Sequence, residues 1–260
     1  MRAMSSHRPP RRPHLWLPLL VASQLVIALL WWRLGWQVGL PVLLASHALC
    51  LWGVLAPSSR LYGPVLTRLP GDGVWLTIDD GPSDDTRAVL DLLDAHAARA
   101  TFFLVGARAE ARPALVREIV ARGHDIGNHS HTHPQARFWA LGPARMRREI
   151  EACQAALTRI TGRAPVWFRS VVGHTNPFVH APLRDARLAR VGWSARGFDA
   201  VEADVARVVA RIDAALEPGA IVLLHEGARH GRNPEMIAGV LDRLRQKRLR
   251  AVVPSVDEGP

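Results

Sequence analysis

Lysine is almost missing from this chain. Among 33 basic side chains Lys247 is the only lysine, and the arginine excess fits a GC-rich coding bias. The formal charge of +10 would suit an anionic partner, either nucleic acid or a lipid headgroup. No basic run is interleaved with aromatics, however, so a nucleic-acid partner is not expected. Cysteine is as scarce: Cys50 and Cys153 are the two present, and neither belongs to a CxxC pair. That excludes a disulfide framework and a cysteine metal site. Internal repeats are lacking, and the only biased segment is the Arg/Pro-rich start. Apolar residues, in contrast, make up 48% of the chain against 22% charged, which places it among globular or membrane-linked proteins rather than disordered ones. Its 260 residues accommodate one large domain plus an accessory segment.

That accessory segment is N-terminal. After a basic tail, residues 1–14, the stretch 15–32 carries no charge and is just long enough to cross a bilayer. A second uncharged stretch, 36–57, follows Arg33, with Trp31, Trp32 and Trp36 at the break as aromatic anchors at an interface would be. Residues 15–57 therefore read as a hairpin of two membrane helices, followed by a linker over 58–73. A secretory signal peptide is the competing reading, but the apolar sequence runs well past a signal core. Arg2, Arg8, Arg11 and Arg12 before the hairpin, and Arg60 and Arg68 after it, place both ends on the cytoplasmic face of a bacterial inner membrane. If the second stretch is only re-entrant, the domain lies on the periplasmic face instead.

From residue 74 to 254 short apolar runs alternate with amphipathic ones. Strands are expected over 74–78, 100–105, 125–127, 166–168, 191–194, 220–224 and 250–253, and helices over 86–98, 113–122, 143–160, 178–189, 202–216 and 234–247. The alternation implies parallel strands with right-handed crossovers. About seven such units suit a deformed (β/α) barrel, with chemistry at the carboxyl ends of its strands. Asp79 and Asp80 end the first expected strand, His129, His131 and His133 follow the third, Arg169 ends the fourth, Asp199 follows the fifth, and His225 and Glu226 end the sixth. Unusual polar residues thus gather on one rim.

TIDDGP, Thr77 to Pro82, sets two carboxylates side by side, and GNHSHTHP, Gly127 to Pro134, sets three imidazoles on alternate positions. One helical turn would bring His129 and His133 to the same side, with His131 turned away. Two imidazoles and a carboxylate from Asp80 make a three-ligand site with open positions for Zn²⁺ or another divalent ion. Asp79 is then free to act as base toward water at that ion.

TIDDGP, NHSHTHP and the late LLHEG together resemble the polysaccharide deacetylase family, also described as the NodB homology domain or carbohydrate esterase family four. The resemblance runs over about residues 74–253. It implies a deformed (β/α) barrel and metal-dependent hydrolysis of N-acetyl groups on amino sugars; the ligand set favours Zn²⁺ as the ion, with Co²⁺ or Ni²⁺ as alternatives. It also implies Asp79 as general base, Asp80, His129 and His133 as ligands, His225 as general acid and Leu223 as the apolar wall of the acetyl pocket.

Two motifs depart from the family pattern. RSVVGHTNP, Arg169 to Pro177, stands in place of Arg-Pro-Pro-Tyr-Gly. Arg169 is kept as a counter-charge for Asp79, and a backbone N–H of Val171 or Val172 can still receive an oxyanion. WSARGFDAV, Trp193 to Val201, keeps only Asp199 of Asp-x-x-Asp-Trp, enough to orient His225. Arg196 stands where the first acid is expected, and with His174 it would reshape the site for an anionic substrate. Trp75 and Trp167 read as packing residues. The expected protein is a membrane-anchored deacetylase acting on an N-acylated amino sugar, with a lipid-linked substrate favoured by the hairpin. A deformylase, an O-deacetylase and an inactive glycan-binding module are the competing readings.

Overall fold

The structure, a computed structural model, describes residues 10–254. Arg2 and Arg8, part of the orientation argument, lie outside the described residues. Two long helices come first, α1 (Trp16–Leu34) and α2 (Trp36–Leu55), packed side by side around Gly35. Both are long and apolar enough to cross a membrane, and only 6% and 17% of their apolar windows are buried. Gly39 sits against Trp31, where a Cβ would come within 2.7 Å of the indole, so the small residue sets how closely the helices approach.

The remaining elements largely alternate between strand and helix. They are β1 (Trp75–Gly81), α3 (Thr86–Ala95), β2 (Ala100–Leu104), α4 (Gly106–Ala111), α5 (Pro113–Ala121), β3 (Asp125–Asn128), α6 (Pro143–Thr161), β4 (Trp167–Phe168), α7 (His180–Asp185), β5 (Ala189–Arg190), β6 (Ala195–Arg196), α8 (Val205–Ala214), β7 (Ile221–His225) and α9 (Asn233–Gln246). The alternation is broken where α5 follows α4 and where β6 follows β5 directly. The seven strands are parallel in the order β5-β4-β3-β2-β1-β7-β6, a curled half-barrel.

Strand periodicity divides the core. Leu76 and Ile78 of β1 face outward and pack with Val89, Leu90 and Leu93 of α3 and Ile237 and Leu241 of α9. Each large side chain buried in this layer contributes about 1.5–3 kcal/mol. Trp75, Thr77 and Asp79 alternate to the inside, where Trp75 meets Trp167 edge-on at 4.9 Å and donates its indole N–H to Thr101. Both tryptophans are buried packing residues, as their positions suggested.

Several expected elements differ from the structure, the helix expected over 202–216 among them, which spans Val205–Ala214. No strand spans 191–194; that segment instead crosses between the sheet's edges, from β5 to β6. Val191 bridges Leu66 of the linker, and Gly192 donates to the Leu66 carbonyl, so the linker occupies the gap in the barrel. The expected last strand is reduced to one bridge, Val74 to Ala251. The helix expected from 178 begins only at His180, because Asn176 accepts from the Phe178 N–H and holds a turn there. α4 was not expected, since its short GARAEA stretch shows no apolar period.

The hairpin ends beside the barrel rim. Thr175 donates its N–H to the Val54 carbonyl at 2.9 Å, and the buried Arg190 donates to the Pro57 carbonyl at 2.8 Å. The first of these bonds supplies a donor to a carbonyl that the end of α2 leaves unpaired.

Candidate active site

A regular strand would turn neighbouring side chains to opposite faces, and adjacent carboxylates could not share a site. β1 avoids this with an irregularity at its end. The register with β2 shifts between Asp79 and Gly81, and Asp80 takes a left-handed backbone with φ of 71°. The kink turns Asp80 toward the same cavity as Asp79.

The histidine segment does not form the helical turn expected. Ser130 and His133 both have positive φ, 66° and 51°, and the loop is held by side chains instead. Asn128 accepts from the Ser130 N–H and donates to the Ile150 carbonyl. Glu149, buried on α6, accepts from the N–H groups of His131 and Thr132 and from the Thr132 hydroxyl. Burial raises its carboxyl, but these bonds and Arg145 bring it below the ordinary range. The imidazoles still meet, with ring centroids 5.1 Å apart.

Asp80 Oδ1 lies 2.9 Å from His133 Nε2 and 3.5 Å from His129 Nε2. The three ligand atoms lie within 4.8 Å of one another, and Asp80 Oδ1 is buried without a well-aligned hydrogen bond. His129 places Nδ1 2.8 Å from the Arg169 carbonyl, which can only accept, so Nδ1 carries the proton and Nε2 is left to bind a metal. Two imidazole nitrogens and a carboxylate oxygen converging on one point fit a divalent cation such as zinc. Burial raises the Asp80 carboxyl, and the two histidines more than offset it, holding it well below the ordinary range. His131 is outside the set, with Nε2 3.8 Å from Glu110.

Asp79 is buried beside this cluster, with Oδ2 3.8 Å from His129 Nε2. Its other oxygen accepts from Arg169 Nη1 at 2.8 Å. Arg169 is fully buried, stacks 4.3 Å over Phe103, and donates further to Thr77 Oγ1 and the Gly192 carbonyl. Across the sheet, His225 of β7 is the register partner of Asp79. Asp199 takes the His225 N–H at 2.6 Å and the ring Nδ1 at 2.9 Å. Its own carbonyl accepts from His230 and Asn233. Burial alone would lower the His225 ring, but Asp199, followed by Asp79 and Asp80, raises it to about 9. These carboxylates favour the protonated ring, and among the described residues Nε2 has no hydrogen-bond partner.

The cavity holds about 140 Å³ and is lined by Asp79, Asp80, His129, His133, Val172, Arg196, Leu223 and His225, together with Gln135, Gly173, Trp193, Phe198, Ala200 and Val201. A larger cleft of about 580 Å³ beside Ser83, Arg108 and Arg112 has no imidazole in its lining. Val172 has φ of 56°, unusual for a β-branched residue, and its N–H meets no protein acceptor among the described residues. Asp80, His133, Val172 and Phe198 all line the cavity with left-handed backbones, so backbone strain is concentrated there.

A family profile described as polysaccharide deacetylase matches residues 67–191. A chitooligosaccharide deacetylase from Bradyrhizobium sp. (strain ANU 289) is 39% identical over 171 residues, 65% of this chain and 75% of that protein. The chain belongs to the polysaccharide deacetylase family. A family 4 carbohydrate esterase from Streptomyces lividans, solved in complex with acetate, shares 32% identity at a TM-score of 0.65 over 72% of this chain and 95% of its own. The peptidoglycan-N-acetylglucosamine deacetylase PgdA of Listeria monocytogenes is 34% identical over 65% of this chain but only 36% of its own length.

Within this family fold, the cavity gathers eight of the ten residues singled out in the sequence, Asp79, Asp80, His129, His133, Val172, Arg196, Leu223 and His225. Arg169 and Asp199 stand behind Asp79 and His225. His174, expected to shape the site, is not among the lining residues. Trp193, Phe198 and Glu149 were not foreseen as site residues. The signal for the aromatics was their spacing around Arg196, and for Glu149 an acid that turns out buried within an arginine-rich helix.

Proposed function

We propose that this protein is a membrane-anchored, metal-dependent hydrolase that removes the N-acetyl group from an amino sugar in a glycan or glycolipid. The observation that carries this reading is the convergence of Asp80, His129 and His133 beside Asp79, with His225 on the neighbouring strand. The named activities of the relatives support it. Residues 74–254 form the catalytic unit, 15–57 the anchor and 58–73 the linker.

A divalent ion on Asp80, His129 and His133 would act as a Lewis acid and ease the deprotonation of water. Asp79 accepts the proton of the attacking water, with Arg169 fixing its orientation. Leu223 presents an apolar wall to the acetyl methyl, and the unengaged N–H of Val172 receives the developing oxyanion. His225, oriented by Asp199, delivers a proton to the leaving amine.

Chelation is expected to abolish hydrolysis of N-acetylglucosamine oligomers, and Zn²⁺, Co²⁺ or Ni²⁺ to restore it. His133→Ala should lower both bound metal and rate. Full activity after metal removal would sink the metal assignment. Stoichiometric metal without hydrolysis of any acylated amino sugar would identify a glycan-binding module. Turnover of N-formyl or O-acetyl substrates alone would replace the acyl group assigned.

From the arginines flanking the two apolar helices we infer that the domain lies on the cytoplasmic face of a bacterial inner membrane. Alkaline phosphatase fused to the C-terminus should then be inactive in cells, and an active fusion moves the domain to the periplasm. The hairpin's end against the barrel rim favours a substrate presented at the membrane.

A further inference from the structure

Arg196 differs from the other arginines at this rim. Arg169 donates to Asp79, Thr77 and Gly192, and Arg108 donates to the Asp80 carbonyl. Arg211, 5.6 Å from the Phe198 ring centroid, pairs with Glu202 at 3.6 Å. Arg196 lines the cavity, yet among the described residues no carboxylate lies within ion-pair distance of it. Its Nε is buried without a hydrogen bond. Asp199 exerts a favourable Coulomb pull on it but makes no hydrogen bond to it, its two oxygens accepting from His225.

The side chain is nevertheless held in place. Its guanidinium lies 3.8 Å over the Phe198 ring and 5.4 Å from Trp193. Stacking fixes the plane and leaves the edge donors uncommitted. A planar guanidinium held this way suits the oxygens of a phosphate, which accept two parallel N–H bonds.

Its position says where such a group would come from. Trp193 packs against Gly173, where a Cβ would come within 2.4 Å of the indole, and the same Cβ would come within 2.8 Å of Pro57 just beyond α2. Arg196, Trp193, Gly173 and Pro57 thus form one continuous wall from the catalytic cavity to the end of the apolar hairpin. We propose that Arg196 is an anion subsite that binds a phosphate ester carried by the substrate, on the side of the cavity facing the anchor. The proposal rests on the deacetylase reading for the rest of the substrate.

The test uses the zinc-loaded full chain in detergent micelles with three probes: N-acetylglucosamine, its 1-phosphate, and a short prenyl phosphodiester of the same sugar. The phosphate-bearing probes should exceed the neutral sugar by about tenfold or more in kcat/KM, the gain expected of one charge-assisted contact and carried by KM. Arg196→Gln should erase that ratio and Arg196→Lys should recover part of it. A further gain with the prenyl diester assigns the phosphate to a lipid-linked substrate, whereas parity of the two assigns it to a soluble sugar phosphate; both uphold the subsite. No preference in the wild type, or the same preference in Arg196→Gln, overturns it. If no probe is hydrolysed, calorimetric titration with the 1-phosphate separates the two claims. Binding weakened about tenfold in Arg196→Gln keeps the subsite while the deacetylase reading fails, and equal binding removes the subsite.

Discussion

Asp79→Asn is expected to lower kcat/KM for an N-acetylated amino sugar by roughly 10²–10⁴, the span ascribed to a positioned general base. The amide keeps the shape of the carboxylate and can still meet Arg169, but it cannot accept a proton from water. Bound metal, measured by elemental analysis, should stay stoichiometric, because the converging ligand atoms belong to Asp80, His129 and His133. Loss of metal in this variant would instead make Asp79 a ligand and move the base elsewhere. The pH profile supplies a second reading of the same chemistry. His225 must be protonated to serve as acid, and its ring is raised from 6.5 to about 9, so the alkaline limb of kcat/KM should fall near pH 9. Asp199→Asn removes the main cause that raises the ring and leaves burial, which lowers it, so the limb should move toward acid. The linkage has a definite sign. A raised pKa in the folded state contributes stability that is complete below 6.5 and is lost as pH rises through about 9.

Arg169→Met is expected to cost about 3–5 kcal/mol of stability, the penalty for leaving a buried charge without its partner. Asp79 would remain buried with no guanidinium, and Thr77 and the Gly192 carbonyl would each lose a donor. Scanning fluorimetry of the full chain, which carries nine tryptophans, should show the transition move down by roughly 6–20 °C for a domain of this size. Adding Asp79→Asn to Arg169→Met should cost less than the sum of the single changes, since the second substitution removes the stranded charge. Strict additivity would mean that Arg169 stabilises through its packing on Phe103 rather than through the pair.

The chemistry of this protein was legible before its geometry because it resides in residue types. Adjacent acids at a strand's end and imidazoles on alternate positions already suggested a metal and a base, and the resemblance to the family added His225 as the expected acid. The apolar alternation likewise foretold parallel strands with rims of polar residues, since strand and helix periods are local. The way the groups are held was not legible. A helical turn seemed the simplest means of pairing His129 with His133, but Asn128 and Glu149 pin a loop with left-handed residues instead. The crossing at 191–194 resembles a strand in composition, yet its partner is a linker more than a hundred residues earlier.

From sequence alone came the two apolar spans, most of the alternation of strands and helices, and the candidate ligating and proton-transferring side chains. Tertiary structure alone decided that Asp80 swings to the side of Asp79, that the linker closes the barrel gap, and that Arg196 stands without a direct ion-pair contact among the described residues on the wall leading to the hairpin. The division has one physical cause. Periodicity and donor chemistry are properties of neighbouring residues, whereas register shifts, positive φ and unpaired charge depend on which distant segments come to lie beside them.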